Sequence, residues 1–197
     1  MHFSRDRIGA ALVLVALHSA TMEGVVAQEA AITPYGVRNS AAPVELDAFS
    51  FLVGKWKGIA KVRLENGGYA EDDVIWIGRY VLDGMAIADE GYSVAPDGAM
   101  KLEGYSIRYF DPRNRSWTIE FVNVARSFVR RQVTPRAGSV QVDEASVVIN
   151  AEDDTTIGRE YYSVSGNDSF VYRIDLSRDG GKSWDTGSYE MTMTRVE

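Results

Sequence analysis

Apolar and polar residues alternate most regularly from Trp56 onward. Trp56, Gly58, Ala60, Val62 and Leu64 hold the even positions, while Lys55, Lys57, Lys61, Arg63 and Glu65 hold odd ones. A two-residue period places one face of a strand against a core and the other in water. Turn signals follow at intervals: Asn66-Gly67-Gly68, Asp83-Gly84, Ala95-Pro96-Asp97-Gly98, Asp111-Pro112-Arg113-Asn114, Pro135 to Gly138, Asp153-Asp154, Gly166-Asn167-Asp168 and Asp179-Gly180-Gly181. They divide the chain into about ten strands, near residues 55–65, 69–78, 84–94, 100–110, 116–124, 126–134, 139–150, 155–165, 169–177 and 186–195. Strands this long, joined by tight antiparallel turns, predict an all-β fold, an antiparallel up-and-down β-barrel. Before the first strand, Leu46, Phe49, Leu52 and Val53 stand at helical spacing, which predicts one short N-terminal helix packed against the barrel. Residues 28–43, with Pro34, Gly36, Asn39, Ser40 and Pro43, show no sustained period and read as a flexible leader, so the domain is expected to span 44–197.

The first residues have a different character. Arg5 and Arg7 precede the apolar run Ile8 to Leu17, and Val25-Val26-Ala27 offers small residues where a signal peptidase cuts. That order of charge, apolar run and cut site predicts a cleaved secretory signal over residues 1–27 and a periplasmic or secreted protein. The run is short of the roughly 20 apolar residues that a spanning helix needs, so no transmembrane segment is expected.

Composition narrows the chemistry. The chain has no Cys, and both histidines, His2 and His18, lie inside the expected signal. Zinc sites built on His or Cys, His-ligated haem, Ser-His-Asp and Cys-His catalysis therefore have no residues to use. Lys and Arg number 21 against 28 Asp and Glu, a net charge of −7 that removal of the signal leaves unchanged. An acidic chain without a basic stripe lacks the counter-charge for phosphates, so no nucleic-acid partner is expected.

The last predicted strand carries Tyr189, Met191, Met193 and Arg195 on one face and Ser188, Glu190, Thr192 and Thr194 on the other. Here the chain resembles the calycins, the lipocalin and fatty-acid-binding-protein group, in which a first-strand Gly-x-Trp stacks beneath a basic residue from near the end of the barrel. The matching residues are Gly54, Trp56 and Arg195. The resemblance implies a cation–π contact between Trp56 and Arg195 across the barrel closure. More narrowly, four stretches resemble the DUF1579 family of lipocalin-like proteins over residues 49–197: Phe51-Leu52-x-Gly54-x-Trp56-x-Gly58, Leu82-Asp83-Gly84, Gly104-Tyr105-x-x-x-Tyr109 and Tyr189-x-Met191-x-x-Thr194-Arg195. The opening is similar to nitrobindin-like haem barrels as well. Ala60 stands where those continue to another Gly, and the proximal His they need is missing, so no cofactor is expected.

Pairing parity outlines an interior lined by Trp76, Leu102, Trp117, Phe121, Tyr172, Ile174, Met191 and Met193. These side chains either fill the barrel or surround one small ligand. Arg108 shares a face with Met100, Leu102, Gly104 and Ser106, so it points inward, where a guanidinium needs an acidic partner. It either holds the carboxylate of a lipid-like ligand together with Tyr172, or forms a salt bridge at the barrel mouth, or faces solvent. The candidate ligand-binding residues are thus Arg108, Trp76, Trp117, Tyr172 and Met191. The acid pairs Asp72-Asp73, Asp89-Glu90 and Asp153-Asp154 point to opposite strand faces and read as solvated charges, not catalytic dyads. Tyr161 and Tyr162 read as core and rim packing. Ser177-x-Asp179-x-Gly181-x-Ser183-Trp184 matches the Asp-box turn of sialidase propellers, a self-bonded loop that supports folding. The reading is a protein that binds or carries a small hydrophobic or amphipathic molecule. The alternatives are a His- and Cys-independent isomerase or cyclase, which a buried acid with displaced titration favours, and a cavity-less envelope interaction module, which a fully packed interior favours.

Overall fold

The computed structural model describes residues 33–124, 129–133, 140–143, 146–152 and 157–196. Among the described residues eleven strands form one antiparallel sheet: β1 (Gly54–Arg63), β2 (Tyr69–Val81), β3 (Ala86–Val94), β4 (Met100–Asp111), β5 (Ser116–Asn123), β6 (Val129–Val133), β7 (Val140–Asp143), β8 (Ser146–Glu152), β9 (Ile157–Ser165), β10 (Ser169–Ser177) and β11 (Asp185–Arg195). Their order is β6-β5-β4-β3-β2-β1-β11-β10-β9-β8-β7. Neighbours in sequence are neighbours in space, and the first and last strands join. The up-and-down barrel fold is as expected, and the eleventh strand arises because the stretch expected at 139–150 is divided into β7 and β8. The turns close through the residue types that mark them: Asn66 Oδ1 accepts from the Gly68 N–H, Asp97 Oδ1 from the Ala99 N–H and Asp111 Oδ1 from the Arg113 N–H. The expected turns at Pro135 to Gly138 and Asp153-Asp154 lie outside the described residues.

The sheet curls, as contacts across its concave face show. Arg108 on β4 donates to Tyr162 on β9, six strands away in the order. Phe49 lies edge-on to both Trp117 of β5 and Tyr162 of β9. Phe49 belongs to a 3-10 helix over Val44–Leu52, which closes one end of the interior by burying Leu46, Phe49 and Leu52. Those three residues are spaced by three, and a 3-10 helix has three residues per turn, so it aligns them on one line where an α-helix would spread them. Val53, expected on the same face, instead bridges to Gly78.

The leader differs from expectation over its described part. Residues 33–43 are docked: the Tyr80 N–H donates to the Tyr35 carbonyl at 2.8 Å and the Asn39 N–H to the Gly84 carbonyl at 3.1 Å. Arg38 donates to the Ala42 and Pro43 carbonyls and pairs with Asp47 at 2.8 Å. β2 runs past the last residue paired with β1, and the leader takes up those otherwise unpaired backbone groups.

Candidate functional site

The closure of the barrel comes first, because it sets the register of everything inside. Trp56 stands opposite Arg195, whose guanidinium carbon lies 4.0 Å from the centre of the Trp56 ring. Arg195 also donates to the carbonyls of Val53 (2.7 Å), Phe51 (3.2 Å) and Asn167 (2.9 Å), while the Trp56 N–H donates to the Leu52 carbonyl at 3.1 Å. One guanidinium thus ties the strand ends to the helix. Gly54 enters β1 at a φ of 127°, which disfavours other residues. At Gly58 the limit is space, since a Cβ would sit 2.7 Å from the Met193 sulfur and overlap the Thr192 carbonyl. These four residues are structural.

Above the helix the interior is tightly filled. Trp117 lies edge-on to Phe49 at 4.9 Å and to Phe110 at 5.4 Å, and Phe170 packs between Trp56 and Phe51. Set among these rings is a buried ion pair. Arg108 (2% exposed) donates through Nη1 to Asp89 (4% exposed) and through Nη2 to the Tyr162 hydroxyl at 3.1 Å. Ser106 also bonds Asp89. Burial pushes the Asp89 carboxyl upward against the pull of the adjacent guanidinium. For Arg108, burial works against the charge, but the Asp89 carboxylate more than offsets it and holds the guanidinium protonated. Tyr162 is likewise pushed upward, by burial first. The Arg108 Nε has no hydrogen-bond partner among the described residues.

The opposite end is more open. Trp76, Tyr172 and Met191 form a middle layer, each at most 8% exposed. Beyond it the inner-face residues Gly91, Phe121, Asn123, Glu160, Ile174 and Tyr189 are all partly exposed. Gly91 stands across the ladder from Trp76, and a methyl group there would meet nothing within 4 Å. The Trp76 N–H is buried without a partner among the described residues. Burial, then the nearby Glu160 charge, raises Tyr172 well above its ordinary range. Burial and the charges of Asp72 and Glu103 push Tyr189 up to about 12. Both tyrosines are neutral hydrogen-bonding groups at neutral pH. Outside the barrel, a depression of about 700 Å³ lies between Arg63, Leu64, Gly67, Arg178 and Asp185. There Arg63 and Asp185 already bond each other at 3.0 Å.

The candidate ligand residues therefore divide. Trp76, Tyr172 and Met191 border the open end, whereas Trp117 and Arg108 lie in the packed end. Arg108 is neither at the mouth nor in solvent: it is buried, and its terminal nitrogens donate to Asp89 and to Tyr162. Asp89 corrects its reading as a solvated charge. The β3–β4 hairpin carries a bulge between Gly91 and Tyr92, which shifts the register by one and places Asp89 opposite Ser106 on the inner face. Of the two tyrosines read as core and rim packing, Tyr162 is fully buried at the centre. Asp72 stands opposite the buried Ala60 and so shares the inner face. Asp153-Asp154 lies outside the described residues.

No family model matches this chain, and no curated protein matches it. Among solved structures, the S-type phycobiliprotein lyase of Guillardia theta is 12% identical, with a TM-score of 0.49 over 77% of this chain and 92% of that one. Among the described residues, no helix is long and apolar enough to cross a membrane.

Proposed function

We propose that this protein binds a small amphipathic molecule in the open half of its barrel, above the plane of Trp76, Tyr172 and Met191. The observation that carries this reading is the change in burial along the interior. Rings and the Arg108–Asp89 pair fill the end beside the 3-10 helix, while the inner face at Gly91, Ile174 and Tyr189 remains partly open. Gly91 leaves space where other residues would project a side chain, and the buried Trp76 N–H calls for an acceptor. Apolar walls with a few placed polar groups are the usual composition of a small-molecule site.

The motifs at Gly54-x-Trp56-x-Gly58, Leu82-Asp83-Gly84 and Tyr189 to Arg195 support assigning the chain to the DUF1579 group of lipocalin-like proteins. The order of charge, apolar run and small residues before Gln28 supports export to the periplasm. An enzymatic reading is disfavoured by Asp89, the buried acid it needs, which is committed to Arg108 beneath the open space.

Native mass spectrometry of the protein recovered from its own periplasm tests both parts. The expected result is a polypeptide mass beginning near Gln28 and a retained small molecule. In parallel, an apolar fluorescent probe should bind the wild type, and Gly91→Phe should weaken that binding about tenfold or more while leaving the melting temperature within a few degrees. A wild type that retains no molecule and takes up no probe ends the proposal.

A further inference from the structure

The fold leaves Trp76 with a donor that no described residue satisfies. Its side chain is 7% exposed, and its ring lies inside the barrel, 6.0 Å from the rings of Phe170 and Tyr172. Its N–H is buried and meets no acceptor among the described residues. Trp56, across the β1–β2 ladder, donates to the Leu52 carbonyl at 3.1 Å, so an indole of this interior does take an acceptor where the fold supplies one. The other unpartnered buried side-chain atom of the interior, again among the described residues, is the Arg108 Nε, which is also a donor. The interior is thus short of acceptors, and an indole N–H can only donate.

Open space adjoins that donor. Gly91 stands across the β2–β3 ladder from Trp76, and a methyl group there would meet nothing within 4 Å. The β3–β4 ladder has its bulge between Gly91 and Tyr92, and bulges recur next to active sites. What can fill the space follows from the donor's chemistry. An ammonium group has no lone pair to offer the N–H. A carboxylate has, but stripping it of water costs far more than a bond from one uncharged donor returns, and the nearby Glu160 charge, which acts on Tyr172, opposes a second negative charge. An uncharged carbonyl oxygen accepts the bond at a small desolvation cost.

Resting on the reading that the open half binds an amphipathic molecule, we propose that the head of that molecule is an uncharged carbonyl, of the ketone or ester class, whose oxygen accepts from the Trp76 N–H. Trp76 then selects the ligand by its head, and the apolar body lies along the wall at Gly91 and Ile174.

Three ligands of similar length test this at neutral pH: methyl hexyl ketone, the alkene that carries a methylene in place of its carbonyl oxygen, and octanoate. In NMR spectra of the wild type, the Trp76 indole proton is identified by its proximity to the rings of Phe170 and Tyr172. The ketone should move it downfield, and the alkene should leave it in place. This measurement needs no variant, so it decides the matter even where Trp76→Phe fails to fold. By isothermal titration, Trp76→Phe should weaken ketone binding about fivefold or more and alkene binding about twofold or less. Octanoate should bind the wild type about tenfold or more weaker than the ketone. An indole proton that stays in place when the ketone binds, or equal losses for ketone and alkene in the variant, overturns the role of Trp76. Octanoate binding as tightly as the ketone overturns the uncharged head. In each case binding of the alkene keeps the carrier reading intact, whereas failure of all three to bind the wild type overturns both.

Discussion

At the scale of single residues, Arg108 and Asp89 show how costly interior charge is contained. Each is removed from water almost completely, and each is satisfied chiefly by the other. Buried ion pairs are poor sources of net stability, but removing one member strands the other. Arg108→Met should therefore destabilise the fold by about 3–5 kcal/mol, and Asp89→Leu by a similar amount, whereas the two together should recover most of the loss. Urea unfolding of the four proteins measures this. A double variant as unstable as the sum of the single ones would show that the two charges are not coupled and would overturn this account. The pair was half legible: Arg108 could be placed inside by alternation, but Asp89 read as a solvated charge, as most strand carboxylates are. The bulge between β3 and β4 shifts the register by one, so that Asp89 stands opposite Ser106, and nothing in the local residue pattern announces it.

At the scale of elements, the loop between β10 and β11 is a self-contained unit. Asp179 accepts from the N–H groups of Lys182 and Ser183 and from the hydroxyls of Ser177 and Ser183. Trp184 closes over it, donating to the Gly181 carbonyl at 3.2 Å, with Arg159 stacked on its ring at 3.9 Å. The Ser183 bonds, and then that from Ser177, hold the Asp179 carboxyl down at about 2. The folded carboxylate thus binds a proton less readily than the same group in the unfolded chain. Its support for the loop is complete above the ordinary value of 3.8 and is lost as pH falls through about 2. NMR should find an Asp179 midpoint near 2, with exchange of the Trp184 indole proton quickening over the same range, and Asp179→Asn should abolish that pH dependence. A midpoint near 4 would mean that the bonds do not persist in solution. This loop was readable in advance because the hydrogen bonds that close it lie within eight residues, Ser177 to Trp184. The helix was readable in position but not in type, since a spacing of three fits either helix until packing beneath the barrel selects one.

At the scale of the whole molecule, stability depends on a contact between distant parts of the chain. Arg195 joins the last strand to the first and to the two carbonyls that end the helix. Arg195→Ala should cost about 2–4 kcal/mol through the lost ring contact and the stranded carbonyls. Arg195→Lys should recover only part of that, because an ammonium lacks the planar fork. Chemical denaturation gives the comparison, and a loss below about 0.5 kcal/mol for Arg195→Ala would place the closure's strength in the strand ladder instead. Because the seam joins the two ends of the domain, its formation demands costly loop closure, and refolding on the order of milliseconds to seconds is expected.

By itself, the order of residues determined the strand succession, the described turns and the inward alternation of β1 and β11, since each depends on neighbours a few positions apart. Only the tertiary structure decided which inward side chains meet. It put Trp117 and Arg108 in the packed half, joined Asp89 to Arg108, docked the leader on β2 and left the space at Gly91, because curling the sheet brings together strands far apart in its order and a single bulge changes which face a charge occupies.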